Sequence, residues 1–148
     1  MTTDRVLLLS LRPRFAKAIL DGTKRVELRR IRPRAVPGTA ILIYATAPTK
    51  ALLGGCSVSG MLVADPDEIW EMHGHLTSVD RAEFDDYFAG TDHAVAIQLT
   101  APWTLAKPIT LDTLRQKWDG FHPPQTFRYL RAAAVRGIVP PTQRRSTA

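Results

Sequence analysis

Cysteine is nearly absent from this sequence. Cys56 stands alone among 148 residues, so no disulfide forms within the chain and a stapled secreted scaffold is excluded. A lone thiol in an apolar stretch is more often a small buried hydrophobe than a nucleophile, which suits a reducing compartment. Long apolar runs are missing too. Val6–Leu11 (VLLLSL) is far too short to cross a bilayer and is followed by arginines rather than a small-residue cleavage site, so a soluble, cytoplasmic protein without a membrane partner is expected. Metal-ligand spacing is wanting as well. His73 and His75 form H-x-H beside Glu71, but no further Cys or His is spaced to join them. They read as surface residues, and no metal or cofactor is expected. His93 and His122 lack a sequence-local catalytic partner. No internal repeat and no dividing linker is present, which predicts one domain with a core of ordinary size.

Acidic residues are scarce at both ends. Residues 1–34 carry ten lysines and arginines against Asp4, Asp21 and Glu27, whereas residues 35–148 net −1. Within that remainder, residues 65–92 hold nine acids against Arg81 alone, and residues 128–148 hold five arginines and no acid. Basic ends around an acidic middle make a dipolar surface whose basic part attracts phosphates.

The pattern along the chain alternates strand and helix irregularly. Val6–Leu11 reads as a strand buried on both faces, with Ser10 its one polar member. Pro13 suits a first helical position, and Phe15, Ala18 and Ile19 share a face, so a short helix is expected over about 13–21, closed by Gly22. A proline-punctuated loop, 30–38, ends in the turn Pro37-Gly38. Strands follow over 39–46 and 52–65, the second bent by Gly54, Gly55 and Gly60. Asp65 with Glu68, and Asp80 with Glu83, read as capping boxes opening two acidic helices, with Val79 and Phe84 as a hydrophobic staple on the second. The carboxylates of both helices read mostly as caps and solvated faces. Strand alternation returns at 93–105, broken at Pro102. Thr110 caps a helix whose Leu111, Leu114 and Trp118 lie on one side. The proline pair Pro123-Pro124 then introduces Phe127, Arg128 and Tyr129. Residues 137–148 lack periodicity and read as a mobile tail on a domain of residues 1–136. About five strands with inserted helices predict a small curled α+β sheet or barrel; a doubly wound fold does not suit three strands without a helix between 26 and 65.

The stretch most suggestive of chemistry is Leu20–Arg30, LDGTKRVELRR. After Gly22, alternation sends Val26 and Leu28 to one face and Glu27 and Arg29 to the other, with Lys24 at the strand's start. A lysine, a glutamate and an arginine therefore converge at one end of a sheet, near Ser10 and Arg12 if the two strands are neighbours. The alternative is a solvated strand face with a rim ion pair.

The segments SLRPRFAKAILDGTKRVELRR, PGTAILIYATAP, PDEIW, FDDYFAG and PPQTFRYL, in that order, resemble the ASCH domain, a PUA-like β-barrel. The resemblance runs from about Leu8 to Leu130. Its most characteristic element is G-x-K-x-x-E-x-R, here Gly22, Lys24, Glu27 and Arg29. It implies a cleft suited to RNA, a nucleotide or a modified nucleoside, lined by the end of the first strand and by this motif. Ser10, Arg12, Lys24, Glu27 and Arg29 are the expected site, with hydroxyls from Tyr44 and Thr46. Tyr129 or Trp70 would supply a stacking face, although a tryptophan on a capped amphipathic helix is usually core. Arginine offers a planar fork, lysine a point charge and glutamate an acceptor.

A binding module is therefore the leading expectation, with a regulatory role open. The runner-up is a hydrolase on the same cleft. One family branch resembles an amidohydrolase of N-acetylcytidine that uses a threonine three residues after the motif lysine. Glu27 stands there, so that mechanism does not transfer intact. A ribonuclease is the other enzymatic possibility the resemblance implies, with Lys24 and Glu27 as acid and base and Arg29 on the phosphate. A third class is a regulator docking a protein partner through its arginine-containing tail.

Overall fold

The computed structural model describes residues 4–139 and 144–146. Seven strands and five α-helices follow in the order β1 (Arg5–Leu11), α1 (Pro13–Leu20), β2 (Val26–Arg29), β3 (Ala40–Ala45), β4 (Ala51–Ala64), α2 (Pro66–His73), α3 (Arg81–Phe88), β5 (Ala94–Thr110), α4 (Leu111–Lys117), β6 (Phe127–Arg131), α5 (Ala132–Arg136) and β7 (Arg144–Ser146). A 3₁₀ turn, Gly74–Leu76, joins α2 to the segment before α3. All strands belong to one sheet, ordered β2-β5-β4-β3-β1-β6, with β7 on the far part of β5. Only β1 and β3 pair in parallel among the described residues, because α1 and β2 intervene between them. The mixed α+β architecture agrees with the expectation. The barrel does not close by strand pairing, since β2 and β6 end the order without a ladder between them among the described residues.

Local chemistry accounts for most boundaries. Pro13 opens α1, and Gly22 follows it at φ +87°, a conformation that only glycine adopts without steric cost. The side chains of Asp65, Asp80 and Thr110 accept from the N–H groups of Asp67, Glu83 and Thr113, capping α2, α3 and α4. In β4 the register against β3 and β5 shifts at three places between Leu52 and Gly60. Gly54 is required there, because a Cβ would run into the backbone carbonyl of Trp103.

Two expectations are corrected, and one segment for which no element was expected is assigned. Pro102 does not break its strand, and β5 continues to Thr110. Thr100 pairs with Ser57 and Trp103 with Gly55, so Ala101 and Pro102 together oppose Cys56. That is a bulge, with Ala101 at φ 53°, and a bulged proline needs no ladder donor. Second, Phe127–Arg131 is a strand, antiparallel to β1. Third, within the segment expected to be a mobile tail, Val139 is buried and Arg144–Ser146 pair with Trp103–Leu105, while residues 140–143 and 147–148 lie outside the described residues.

Both faces of the central strands are buried. Leu7, Leu9, Ile41 and Ile43 pack with Ala16 and Ile19 of α1 and with Val95 and Ile97 of β5. Their neighbours Val6, Leu8, Leu42 and Tyr44 join Leu114 and Phe121 in a second cluster on the opposite face. Val26 and Leu28 belong to a third, with Ile69 of α2 and Phe84 and Phe88 of α3. Thus β2 presents its apolar side to the acidic helices and its charged side to the mouth of the sheet.

Candidate functional site

The end of β1, the start of β2 and helix α3 surround a cleft of about 710 Å³. Its floor is charged. Lys24, Glu27 and Arg29 are only 3%, 5% and 7% exposed, so the solvated strand face is excluded. The tight turn after α1 places Lys24, whose N–H donates to the Ala18 carbonyl at 2.9 Å. Its ammonium donates to the Thr77 carbonyl, stands 3.5 Å from Glu27 Oε1 and lies 5.0 Å from the Phe15 ring centroid. Burial lowers the Lys24 pKa from its ordinary value, against the opposing pull of Glu27.

Arg29 reaches across the seam where the sheet fails to close. Its Nε donates to Glu27 Oε2 at 2.8 Å, and Nη2 sits 2.6 Å from the same oxygen. Nη1 donates to the Thr126 carbonyl at 3.0 Å and Nη2 to the Ser10 carbonyl at 3.4 Å. One guanidinium thus ties β2 to the end of β1 and to the residue before β6. The Ser10 hydroxyl is enclosed with no hydrogen-bond partner among the described residues.

The rim is divided in charge. Arg12 lines one side and is exposed. Glu83, Asp86 and Tyr87 of α3 line another. Arg14 pairs with Glu83 across the gap, and Arg30 Nε donates to the Tyr87 carbonyl at 2.6 Å, with its guanidinium 4.9 Å from that ring's centroid. Two carboxylates of α3, Glu83 and Asp86, thus form a wall of the cleft.

Of the residues expected in the site, Ser10, Arg12, Lys24, Glu27, Arg29 and Thr46 all line this cleft. Tyr44 does not: it is 2% exposed, packed in the second core cluster beside Leu42. Tyr129 lies elsewhere, in a second cavity with Arg5, Arg32 and Arg34. Trp70 packs edge-on against Phe84 in the third cluster. His73 is buried rather than superficial, because it ends the inner face of α2, with Nε2 3.3 Å from Gln98 Nε2. Among the described residues no group of three or more His, Cys, Asp or Glu is placed to hold a metal. Sequence reasoning missed the backbone carbonyls of Thr77 and Thr126, which carry no side-chain signature, and Phe15, which it read as core alone.

Residues 9–123 match the ASCH domain. The ASCH domain-containing ribonuclease of Zymomonas mobilis is 35% identical over 131 residues, which is 88% of each chain. The crystal structure of ASCH from Zymomonas mobilis superposes with a TM-score of 0.86 at 34% identity, covering 90% of this chain and 92% of that one. Human THYN1, solved in complex with 5-methylcytosine containing DNA, shares the fold alone at 10% identity and a TM-score of 0.54, over 91% of this chain and 95% of its own. By the matched family and this degree of identity, the chain belongs to the ASCH domain family.

Proposed function

We propose that this chain seats RNA in the cleft, with a nucleotide on the charged floor and its phosphate toward Arg12. The observation that carries the reading is the burial of three charged side chains at the bottom of an open cleft. Removing such groups from water costs several kcal/mol each, roughly, even after relaxation, and an apolar trio of similar volume would hold the strands as well or better. Charge kept at that cost where solvent and ligand can enter is the mark of a binding or reacting site. Exposed Arg12 supplies a planar donor fork for a phosphate. The carboxylates of Glu83 and Asp86 supply acceptors for the amino and imino donors of a base edge. A free nucleotide or modified nucleoside would use the same floor, but its affinity would not grow with chain length. The single buried thiol fits a reducing cytoplasm, where we place the protein.

Cleavage of the bound RNA is a second reading, favoured by one specific observation: the 35% identical Zymomonas relative is called a ribonuclease. The residue suited to proton transfer is Lys24, whose pKa burial lowers from its ordinary value. Its neutral amine would take the ribose 2′-hydroxyl proton. The resulting oxygen forms a bond to the adjacent phosphorus, the bond to the following 5′ oxygen breaks, and that oxygen takes a proton from water. Deacylation of N-acetylcytidine is less well supported, because Glu27 occupies the position of the nucleophilic threonine.

Fluorescence anisotropy and gel analysis with a 5′-labelled single-stranded RNA test both readings. The unmodified chain is expected to bind the RNA, Arg12→Gln to weaken binding, and Lys24→Met to stop any cleavage while RNA is still retained. Absence of RNA binding, or an Arg12→Gln variant that binds as tightly as the unmodified chain, refutes the first reading. Cleavage that survives Lys24→Met refutes the second.

A further inference from the structure

We propose that the cavity around Tyr129 is a second, phosphate-binding subsite that takes the RNA strand as it leaves the cleft; the inference rests on the RNA reading above. This cavity, of about 680 Å³, is lined by three guanidinium groups (Arg5, Arg32 and Arg34), by the Tyr129 ring and by one carboxylate, Asp4. No residue lines both cavities, but two stretches of chain run from the cleft to this one. On one, the chain runs from Thr126, just before β6 and accepting from Arg29 in the cleft, to Tyr129 three residues further on, about 10 Å at strand rise. On the other, the chain leaves Arg29 at the end of β2 and reaches Arg32 and Arg34 within five residues. The two cavities are thus linked by these two stretches of chain.

The aromatic face is held before any ligand arrives. The Tyr129 hydroxyl accepts from the Arg34 backbone N–H, its ring stands edge-on to Phe127 with centroids 6.0 Å apart, and the Arg5 guanidinium lies 5.5 Å from its centroid. A half-buried tyrosine between cations is a stacking platform that needs no base-specific contact. Charge sets the direction of the strand. Leaving the cleft past α3 brings phosphates against Glu83 and Asp86, whereas leaving along the two linking stretches brings them to exposed Arg32 and Arg34.

The experiment uses anisotropy with the full chain, a labelled mononucleotide and a labelled single-stranded hexanucleotide of RNA, each over a series of salt concentrations. In the Arg32→Gln/Arg34→Gln variant, mononucleotide affinity is expected to stay unchanged. Hexanucleotide affinity is expected to fall, with its logarithmic salt slope reduced by about 1.4, two phosphates at about 0.7 each for a single strand. Tyr129→Leu is expected to weaken hexanucleotide binding with little change in slope, because stacking releases no counterions. A hexanucleotide slope untouched by the double arginine variant overturns the subsite and leaves RNA in the cleft intact. Equal losses for mononucleotide and hexanucleotide overturn it as well. Failure of the unmodified chain to bind either RNA overturns the RNA reading, and this inference with it.

Discussion

Replacing Glu27 by glutamine removes one charge and nothing of shape, and the structure sets the size of the effect. The Glu27 carboxylate stands 3.5 Å from the Lys24 ammonium and 2.6 Å from Arg29 Nη2, all three residues being more than nine-tenths buried. Glutamine leaves two like charges facing each other without the anion between them. Breaking a buried pair in this way costs about 3–5 kcal/mol, because the remaining cations are desolvated without compensation. At about 2–4 °C per kcal/mol for a chain of this size, the midpoint of thermal unfolding should fall by roughly 6–20 °C. Lys24→Met is the control. It keeps the Glu27–Arg29 pair and forfeits mainly the donor to the buried Thr77 carbonyl, about 1–3 kcal/mol. Urea unfolding monitored by tryptophan fluorescence measures both. A Glu27→Gln loss below about 1 kcal/mol, the range of an exposed pair, would show that water reaches the trio and that the argument from burial is wrong.

Two further predictions concern ionisation. Lys24 has a folded pKa below its ordinary 10.5, so the folded chain releases this proton first and the unfolded chain binds more protons in between. The unmodified chain should therefore gain stability relative to Lys24→Met as pH rises from the lowered value toward 10.5; a flat or falling difference between the two denaturation series contradicts this. Burial pushes the Cys56 thiol up to about 12, so iodoacetamide at pH 8 should leave the folded chain unlabelled and modify it fully in urea, and a native adduct seen by mass spectrometry would place the thiol outside the core.

What the sequence revealed about this fold is what local chemistry controls. Asp80 caps α3, and Gly22 ends the first helix, because a short polar side chain or a left-handed turn acts within four residues. The convergence of Glu27 and Arg29 on one face followed from strand alternation, since a period of two cannot put them apart. Tyr44 was misplaced for want of the same rule. It shares parity with Leu42, and in the parallel register of β1 and β3 that parity faces the second cluster, whereas Thr46, just past the end of β3, turns to the cleft. Pro102 misled because a proline forbids a ladder donor but not a bulge. The bulge is specified by β4, more than forty residues earlier, through the spacing of its glycine bends. Tyr129 and Thr126 reach their places only through the long-range pairing of β6 with β1, which no local pattern encodes.

The position of the cleft follows from how the sheet ends. A backbone ladder between β2 and the β1–β6 edge would satisfy each carbonyl with one N–H and would shut the mouth. Here the guanidinium of Arg29 donates to both Ser10 O and Thr126 O, and Thr126 O also accepts from the Ser10 backbone N–H at 3.2 Å. That group carries five donors in a planar fork, so it can hold two carbonyls and Glu27 together from one side chain while keeping the strands a side chain's length apart. Lysine, a compact ammonium on a flexible stem, offers no such span. It stands instead at Lys24, where the 3₁₀ turn supplies a single carbonyl through Thr77 and Glu27 supplies the countercharge. The two cations of the motif are therefore not interchangeable. Arg29 holds the seam open at a set width, and Lys24 fastens the α2–α3 connection over the floor. Because the opening is kept by polar side chains, the groups that hold the fold together are the same groups a ligand in the cleft would meet. Stability and the affinity of a ligand seated in the cleft would consequently be coupled through Glu27, the residue that both cations share.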